Sequence, residues 1–293
     1  MRTLKFGLIL SLMAWMNCFG EDIPAKQTMT LGVVQGITEF LPVSSTGHMI
    51  LVNEVGFHSK EQSQRVQSAL DNYMVCIQLG TILTLLLFYR RDVIRIFRGC
   101  LGRDRDGFNL GWNLGIAFIP AGVIGFLCDN IIQQYFYGKI CVVLALILGG
   151  FVIFWLENFR AKHRPIITDI YDVSMKSAWI IGMFQVIALW PGFSRSLATI
   201  MGCLCVGMCL KSAIHFSFLL GLLTSSVATL YKFLKHGAEI FETMEGIAAL
   251  GGVLVAFLVG MSTIHIFLWY LRTHGLKIFG YYRILIGVIL SIC

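Results

Sequence analysis

Six long apolar segments dominate this chain and restrict it to folds that a lipid bilayer can hold. Crossing a bilayer core of about 30 Å takes a helix of roughly 20 residues. The six candidate spans are residues 68–89, 112–132, 138–156, 213–231, 247–270 and 278–293. Charged residues make up 13% of the chain, whereas soluble domains carry about 25%. The sequence therefore predicts an all-α integral membrane protein with six full transmembrane helices.

Two further apolar segments, 29–57 and 177–210, are interrupted at their centres. The first break is the sequence LPVSSTGH at 41–48, and the second is WPGFSRS at 190–196. Each flanking half has roughly 10–14 residues, which is too short to cross a bilayer. Irregular backbone is tolerated at membrane depth only where it faces protein or a wet cavity. Both segments are therefore predicted to be re-entrant helix-loop-helix hairpins.

Basic residues concentrate between the spans, where they set orientation. Six arginines lie in 90–106 and four Lys or Arg residues in 157–176, so both are predicted to be cytoplasmic loops. The net charge of +7 is explained by this topology rather than by nucleic acid, and no nucleic-acid partner is expected. The two hairpins would then enter from opposite faces, each followed by three spans. This order predicts an inverted-topology repeat, with repeat one at about 29–156 and repeat two at about 177–293.

A short sequence echo connects the two repeats. Gly32 to Gln35 precedes the first proline and Gly182 to Gln185 precedes the second, and the echo pairs Ser45 with Ser194. Residues 1–22 are predicted to be a signal-like leader or an extra N-terminal helix, and 23–293 a single membrane domain. The nine cysteines lie mostly in apolar segments. Cys203, Cys205 and Cys209 superficially have metal-site spacing but lack a paired CxxC arrangement, and they are predicted to be small packing residues.

The first break carries an unusual set of polar residues. Gln35 and Glu39 fall four residues apart on one helix face, and Ser44, Ser45 and His48 follow closely. An ionisable residue at membrane depth is energetically costly and is a functional candidate. The alternative is a structural hydrogen bond between helices, which the neighbouring hydroxyls and imidazole disfavour.

The second break supplies the complementary charge. Arg195 follows a Pro-Gly pair and is predicted to open a short helix that also contains Ser196 and Thr199. A helix N-terminus beside a guanidinium binds phosphate well, although an arginine can also extend to the membrane interface. Hydroxyl, imidazole, carboxylate and guanidinium groups together are what phosphoryl transfer requires. A carboxylate without a nearby lysine also suggests a divalent cation bridging to a diphosphate.

These two motifs resemble the bacitracin-resistance type of undecaprenyl-diphosphate phosphatase. The run EFLPVSSTGH from Glu39 to His48 is similar to that family's first motif, and PGFSRSLAT from Pro191 to Thr199 to its second. The resemblance implies hydrolysis of undecaprenyl diphosphate to undecaprenyl phosphate and phosphate. This reaction recycles the lipid carrier for cell-wall synthesis and confers bacitracin resistance. It also implies magnesium or calcium, and a multi-pass protein of the bacterial inner (cytoplasmic) membrane.

Carried over by position, the resemblance gives each motif residue a role. Ser45 would be the nucleophile, with His48 moving the proton as base or acid; whether serine or histidine attacks stays open. Glu39 would hold the cation, helped by Gln35, or orient His48. Arg195 would bind the diphosphate and stabilise the transition state. The expected substrate-binding residues are Ser44, Thr46, Ser194, Ser196 and Thr199.

Two positions depart from the family pattern. Many relatives have Glu at the position of Gln35, and the change should weaken cation binding. Many have Gly at the position of Leu197, whose bulk could narrow the pocket. The main alternative function is a polyprenyl-phosphate transporter or flippase, because inverted repeats with broken helices also build transporters. A catalytically inactive scaffold is disfavoured, since every motif residue for chemistry is present. A homodimer and an active site on the outer face are further expectations.

Overall fold

The structure is a computed structural model that describes residues 23–57, 63–136, 138–243 and 246–292. The predicted leader at 1–22 lies outside the described residues. Within those ranges every regular element is a helix. The helices are α1 (Ala25–Thr38), α2 (Ser45–Leu51), α3 (Gln64–Cys76), α4 (Gln78–Phe88), α5 (Arg90–Cys100), α6 (Arg105–Phe136), α7 (Lys139–Lys162), α8 (Met175–Gln185), α9 (Arg195–Cys205), α10 (Leu210–Thr243), α11 (Gly246–Tyr270) and α12 (Lys277–Ile292).

Five helical stretches are long and apolar enough to cross a bilayer. They are Gln64–Phe88, Arg105–Ile132, Lys139–Lys162, Leu210–Gly237 and Gly246–Tyr270, and they match five of the six predicted spans. The sixth predicted span corresponds to α12, which has 16 residues. At 1.5 Å per residue α12 is about 24 Å long, less than the bilayer core. The all-helical membrane fold is confirmed in outline, and a sixth crossing stays a prediction.

Residues 90–106 are not the loop that their charge predicted. Most of this segment forms α5, and only 101–104 connect it to α6. Arg95 donates a hydrogen bond to Asp104 at 2.8 Å and lowers the pKa of that carboxyl to about 2. Ile94 and Phe97 are exposed on the same helix. The segment is helical because arginine is a good helix former as well as a topology signal, and its cytoplasmic position stays a prediction.

The two interrupted segments have the same backbone design. In the first, α1 and α2 are separated by an irregular stretch at 39–44; in the second, α8 continues as a 3₁₀ turn (Val186–Leu189) and residues 190–194 lead into α9. The residue before each second helix is a serine with positive φ, 73° at Ser44 and 82° at Ser194. Each serine Oγ accepts a hydrogen bond, from the N–H of Gly47 and of Leu197 respectively. These two serines are therefore the N-caps of α2 and α9.

This match corrects the sequence echo by one position. Ser44, not Ser45, is the structural equivalent of Ser194, because the second turn has one more residue after its proline. Counting from the capping serines, Gln35 is equivalent to Gln185, and Ser45 to Arg195. We call the stretches 39–44 and 189–194 the first turn and the second turn.

Each interrupted segment packs against a helix from the opposite half of the chain. Helix α1 runs along α11, and α8 runs along α6. Glycines allow the close approach: a Cβ at Gly32 would lie 2.4 Å from the carbonyl oxygen of Gly252, and one at Gly182 would lie 2.5 Å from that of Ala117. The halves are therefore interlocked, and this packing brings the first and second turns together in the interior.

Candidate active site

A cavity of about 160 Å³ lies between the two turns. Residues of both turns and of α2, α4, α9 and α10 line it. The polar and charged lining residues are Glu39, Ser44, Ser45, Thr46, Gln78, Ser194, Arg195, Ser196, Thr224 and Ser225. Seven of these ten are among the residues that the sequence predicted for the site. The cavity therefore combines the two motifs in one polar chamber within an apolar protein.

The Glu39 carboxylate is the centre of the hydrogen-bond network. Its Oε2 accepts from Ser45 Oγ at 2.7 Å and from Gln35 Nε2 at 2.9 Å. Its Oε1 forms an ion pair with Arg195 Nη2. Glu39 is buried, and a buried charge requires such partners. The predicted nucleophile, carboxylate and guanidinium are thus connected directly.

Arg195 extends from the start of α9 towards α10. Its Nη1 donates to Gly221 O at 2.8 Å and to Ser225 Oγ. Ser225 in turn donates to Gln78 Oε1 at 2.8 Å. These contacts fix the guanidinium inside the protein and argue against an arginine that extends to the membrane interface. The guanidinium faces the cavity at the N-terminus of α9, a position that favours an anion.

Gln35 has one oxygen without a partner. Because the Glu39 carboxylate can only accept, the amide Nε2 faces it and also donates to Thr81 Oγ1 at 3.2 Å. The Oε1 atom is buried and has no hydrogen-bond partner among the described residues. Carboxylate, amide and hydroxyl oxygens are the ligands that magnesium and calcium prefer. Glu39 and Gln35 therefore fit a hard divalent cation whose other ligands would be water and substrate oxygens.

The described residues offer no alternative metal centre. They contain no group of three or more His, Cys, Asp or Glu side chains that could hold an ion. The described cysteines are free thiols, and Cys203 is buried, as expected for packing residues.

The predicted substrate-binding hydroxyls fall into two groups. Ser44, Thr46, Ser194 and Ser196 line the cavity, and Ser194 and Ser196 are hydrogen-bonded to each other at 3.0 Å. Thr199 does not line it. Its hydroxyl is fully buried and is bonded to Arg195 O at 2.9 Å and to Ser217. The Thr199 hydroxyl thus joins the start of α9 to Ser217 of α10, and its role in substrate binding stays a prediction.

His48 and Leu197 also lie away from the cavity lining. His48 Nδ1 is 2.7 Å from Ser44 O, and Nε2 is 2.8 Å from Tyr282 Oη. The imidazole stacks on the Tyr282 ring with the centroids 5.6 Å apart. The structure therefore places His48 behind the first turn instead of beside Ser45 Oγ. Leu197 is fully buried in the apolar core, so its bulk does not narrow the cavity.

An apolar groove of about 360 Å³ adjoins the cavity. It runs between α6, the 3₁₀ turn after α8, and α10. Thr46, Pro191, Arg195 and Thr224 line both spaces. The apolar lining includes Phe118, Ala121, Gly122, Gly125, Phe126, Ile132, Leu189 and Val227. A polar head in the cavity could therefore continue directly into an apolar tail in the groove.

Four residues of the site escaped the sequence analysis. Gln78, Thr224 and Ser225 line the cavity from α4 and α10, and Arg283 in α12 contacts both turns. Each is a polar residue inside a predicted span, which is the signal that could have identified it. For Arg283 that signal is strong, because it is the only charged residue in the predicted span 278–293.

Comparison with known proteins identifies a family for this chain. Residues 28–289 match the family described as Bacitracin resistance protein BacA. A protein of Sorangium cellulosum (strain So ce56) named undecaprenyl-diphosphatase is 38% identical over 262 residues, which is 88% of this chain and 83% of the relative. Undecaprenyl-diphosphatase 1 of Chromobacterium violaceum is also 38% identical over 263 residues, 89% of this chain and 93% of the relative.

A third relative, from Neisseria gonorrhoeae (strain FA 1090), is likewise named undecaprenyl-diphosphatase. It is 37% identical over 268 residues, covering 91% of this chain and 94% of the relative. The matched residues include both turns and every helix that positions them. With a match over most of its length and a cavity built from both motifs, the chain belongs to the bacitracin resistance protein BacA family.

Proposed function

We propose that this protein hydrolyses undecaprenyl diphosphate to undecaprenyl phosphate and inorganic phosphate. The observation that carries the proposal is the direct connection of Ser45 Oγ, the Glu39 carboxylate and the Arg195 guanidinium at one cavity. The names of its relatives and its family membership support the same reaction. The protein is accordingly a phosphoric anhydride hydrolase of the membrane.

Binding would begin with Arg195. A guanidinium is a good partner for phosphate oxygens, and the substrate's diphosphate would compete with Glu39 for it. The cavity hydroxyls of Ser44, Ser194 and Ser196 would donate to the remaining oxygens. As the diphosphate takes over Arg195, Oε1 of Glu39 leaves the ion pair while Oε2 keeps the hydrogen bond from Ser45 Oγ.

Ser45 would then attack the terminal phosphorus. Glu39, already 2.7 Å from Ser45 Oγ, accepts the hydroxyl proton as the new O–P bond forms and the bond to the bridging oxygen breaks. The leaving group is undecaprenyl phosphate, and Arg195 stabilises the charge on the transferring group. Glu39 passes this proton to the departing undecaprenyl phosphate and is again a carboxylate. Water then attacks the phosphoserine, Glu39 accepts one of its protons, and that proton returns to Ser45 Oγ as phosphate leaves.

This scheme moves the proton role from His48 to Glu39. The imidazole is bonded to Ser44 O and Tyr282 Oη, so we propose that it holds the first turn in place. Serine rather than histidine is the nucleophile for the same reason, because Ser45 lines the cavity and His48 does not.

A divalent cation, magnesium or calcium, completes the proposal. Glu39 and the unpartnered Oε1 of Gln35 would hold it, and Gln35 contributes one charge less than the Glu of many relatives. When bound, such an ion neutralises charge on the diphosphate and polarises its oxygens. Chelation should therefore lower phosphate release.

The apolar groove suits the prenyl chain. It opens directly from the cavity and is lined mainly by aliphatic and aromatic side chains. Burial of apolar surface there would add about 25 cal/mol per Å². The preference for a long prenyl chain would then come from groove contacts, while the diphosphate determines the chemistry.

We further propose that the finer fold follows the inverted-topology plan. The equivalent capping serines and the crossed packing of α1 on α11 and α8 on α6 support it. The interrupted segments would be re-entrant, the membrane would be the bacterial inner membrane, and the cavity would be reached from the outer face. Association into a homodimer stays a prediction, which the mass of the protein in detergent would test.

The alternative, a polyprenyl-phosphate flippase, is less well supported. Transport alone has no need for a hydroxyl held 2.7 Å from a carboxylate. Purified protein in detergent, where no bilayer separates two compartments, distinguishes the two. We expect phosphate release from a series of C15 to C55 prenyl diphosphates, none from the monophosphates, and suppression by a chelator. Absence of release from every diphosphate with metal present would refute the proposed function.

A further inference from the structure

Arg283 lies at the centre of the molecule although neither motif contains it. Its side chain has no exposed surface. Nη1 donates to Pro42 O and Nη2 donates to Gly192 O, each at 2.9 Å. Pro42 and Gly192 each lie two residues before a capping serine, Ser44 and Ser194. One guanidinium therefore binds the equivalent carbonyls of both turns.

The other N–H groups hold Arg283 against α7. Nε donates to Leu146 O at 3.2 Å and Nη2 donates to Ala145 O at 2.9 Å. Gly149 provides the space, because a Cβ there would lie 2.0 Å from Nη2. All four acceptors are backbone carbonyls, and they use four of the five N–H donors of an arginine.

Simple packing of α7 on α12 does not explain this arrangement. Burying a charge is costly, and an apolar side chain of similar volume can hold two helices together without that cost. An apolar residue would, however, leave the carbonyls of Pro42 and Gly192 without this donor, and buried unpaired carbonyls are unfavourable. The charged side chain of Arg283 is therefore explained by its hydrogen bonds to the two turns, and not by the packing of α7 on α12 alone.

We propose that Arg283 is a positioning residue for the phosphatase reaction, which fixes the separation of the two turns. Ser45 lies three residues after Pro42, and Arg195 lies three residues after Gly192. Holding the two carbonyls on one planar guanidinium therefore sets the distance between nucleophile and phosphate-binding group. A displacement of about 1 Å at such a site costs on the order of 100-fold in rate. The inference rests on the proposed function.

The test compares four variants by kcat, KM and thermal unfolding in detergent. Arg283→Met should lower kcat on the order of 100-fold with a smaller change in KM. Arg283→Lys should recover part of the rate, because an ammonium has fewer donors and no rigid fork. Gly149→Ala keeps the charge but displaces the guanidinium, and should also lower kcat. Gly287→Ala is the control: its Cβ would press on the Ile147 side chain at 2.5 Å in the same helix pair, and kcat should stay near the parent value.

A double-mutant cycle separates positioning from general stability. If Arg283 acts by placing the second turn, Arg283→Met should cost much less in an Arg195→Lys background than in the parent. Equal losses in both backgrounds, or a parent-like kcat for Arg283→Met, would overturn the inference. Should Arg283→Met not fold, Gly149→Ala takes its place in the cycle with the same two outcomes. If the unmodified protein released no phosphate, that result would refute the proposed function instead.

Discussion

The first and second turns share a backbone but differ in chemistry. Each holds a capping serine with positive φ before a helix, and each gives one carbonyl to Arg283. Yet the position after the serine is the hydroxyl of Ser45 in one turn and the guanidinium of Arg195 in the other. The shared backbone thus presents the proposed nucleophile on one side of the cavity and the proposed phosphate-binding cation on the other.

The helices that precede the turns differ in the same way. Glu39 lies five residues before Ser44, and the equivalent position before Ser194 is Leu189, which lines the apolar groove. The first turn therefore brings a carboxylate to the polar cavity, whereas the second turn leads towards the apolar groove proposed for the prenyl chain. Two identical turns would give two carboxylates or two arginines, and neither pair would perform the transfer.

Removing the nucleophile should have the largest effect. Ser45→Ala deletes the hydroxyl bonded to Glu39, and we expect phosphate release to fall on the order of 1000-fold or more. Its positional equivalent, Arg195→Gln, should cause a similar loss by removing transition-state charge stabilisation. Ser262→Ala, at an exposed serine bonded to its own helix, is the control. Near-normal release by Ser45→Ala would contradict the nucleophile assignment.

The equivalent glutamines should respond differently to an added charge. Gln35→Glu places a second carboxylate beside Glu39, and we expect half-saturation at about tenfold lower free magnesium, since ligand charge sets affinity. Gln185 lies before the second turn and accepts a hydrogen bond from Thr224, so Gln185→Glu should leave the magnesium dependence unchanged. Activity measured against buffered free metal after chelation checks both. An equal shift in the two variants would argue against a cation at Glu39 and Gln35.

Substitution of His48 should matter less than its place in the motif suggests. His48→Asn removes the bonds to Ser44 O and Tyr282 Oη but no cavity-lining group, so we expect a loss of less than about tenfold. Tyr282→Phe should have a similarly small effect. General acid–base groups contribute about 100- to 10,000-fold, so a loss in that range, with one limb of the pH–rate profile missing, would return the proton role to His48.

The smallest effects should come from the capping serines. Ser44→Ala removes a cap, which costs about 1 kcal/mol, and keeps the Cβ at positive φ that Ser44 already has. Ser44→Gly removes the cap but relieves the backbone, so it should unfold at a higher temperature than Ser44→Ala. The same order is expected at Ser194. A reversed order at either serine, measured by thermal unfolding in detergent, would contradict the equivalence of the two turns.

Local sequence was sufficient for the parts of the fold that depend on local physics. Apolar length located five helices that are long enough to cross a bilayer, because bilayer thickness sets the length of a span. Pro42 and Pro191 marked the interruptions, because proline lacks the N–H that a helix needs. Glu39, Ser45 and Arg195 stood out since charge and hydroxyls are costly in an apolar segment. The two interrupted segments were predicted to enter from opposite faces, and this was enough to predict that their motifs meet in the interior.

What the sequence did not provide depends on side-chain direction and distant packing. Nothing local to His48 indicates that its ring stacks on Tyr282 and leaves the cavity. Ser225 and Gln78 reach the site only through the packing of α10 against α4, and Arg283 only through the space at Gly149. The one-residue error in pairing Ser45 with Ser194 has the same origin. The two turns are aligned by the positive φ of Ser44 and Ser194, which the amino-acid sequence does not show.

The crossed packing also has a consequence for how the protein is made. Helix α1 leaves the ribosome early, but the surface of Gly32 is covered by α11, more than 200 residues later in the chain. Until α11 is synthesised, that face of α1 contacts lipid or the insertion machinery, because contacts so distant in sequence form late. Chains truncated before α11 should therefore be targets for membrane proteolysis even though both motifs are complete.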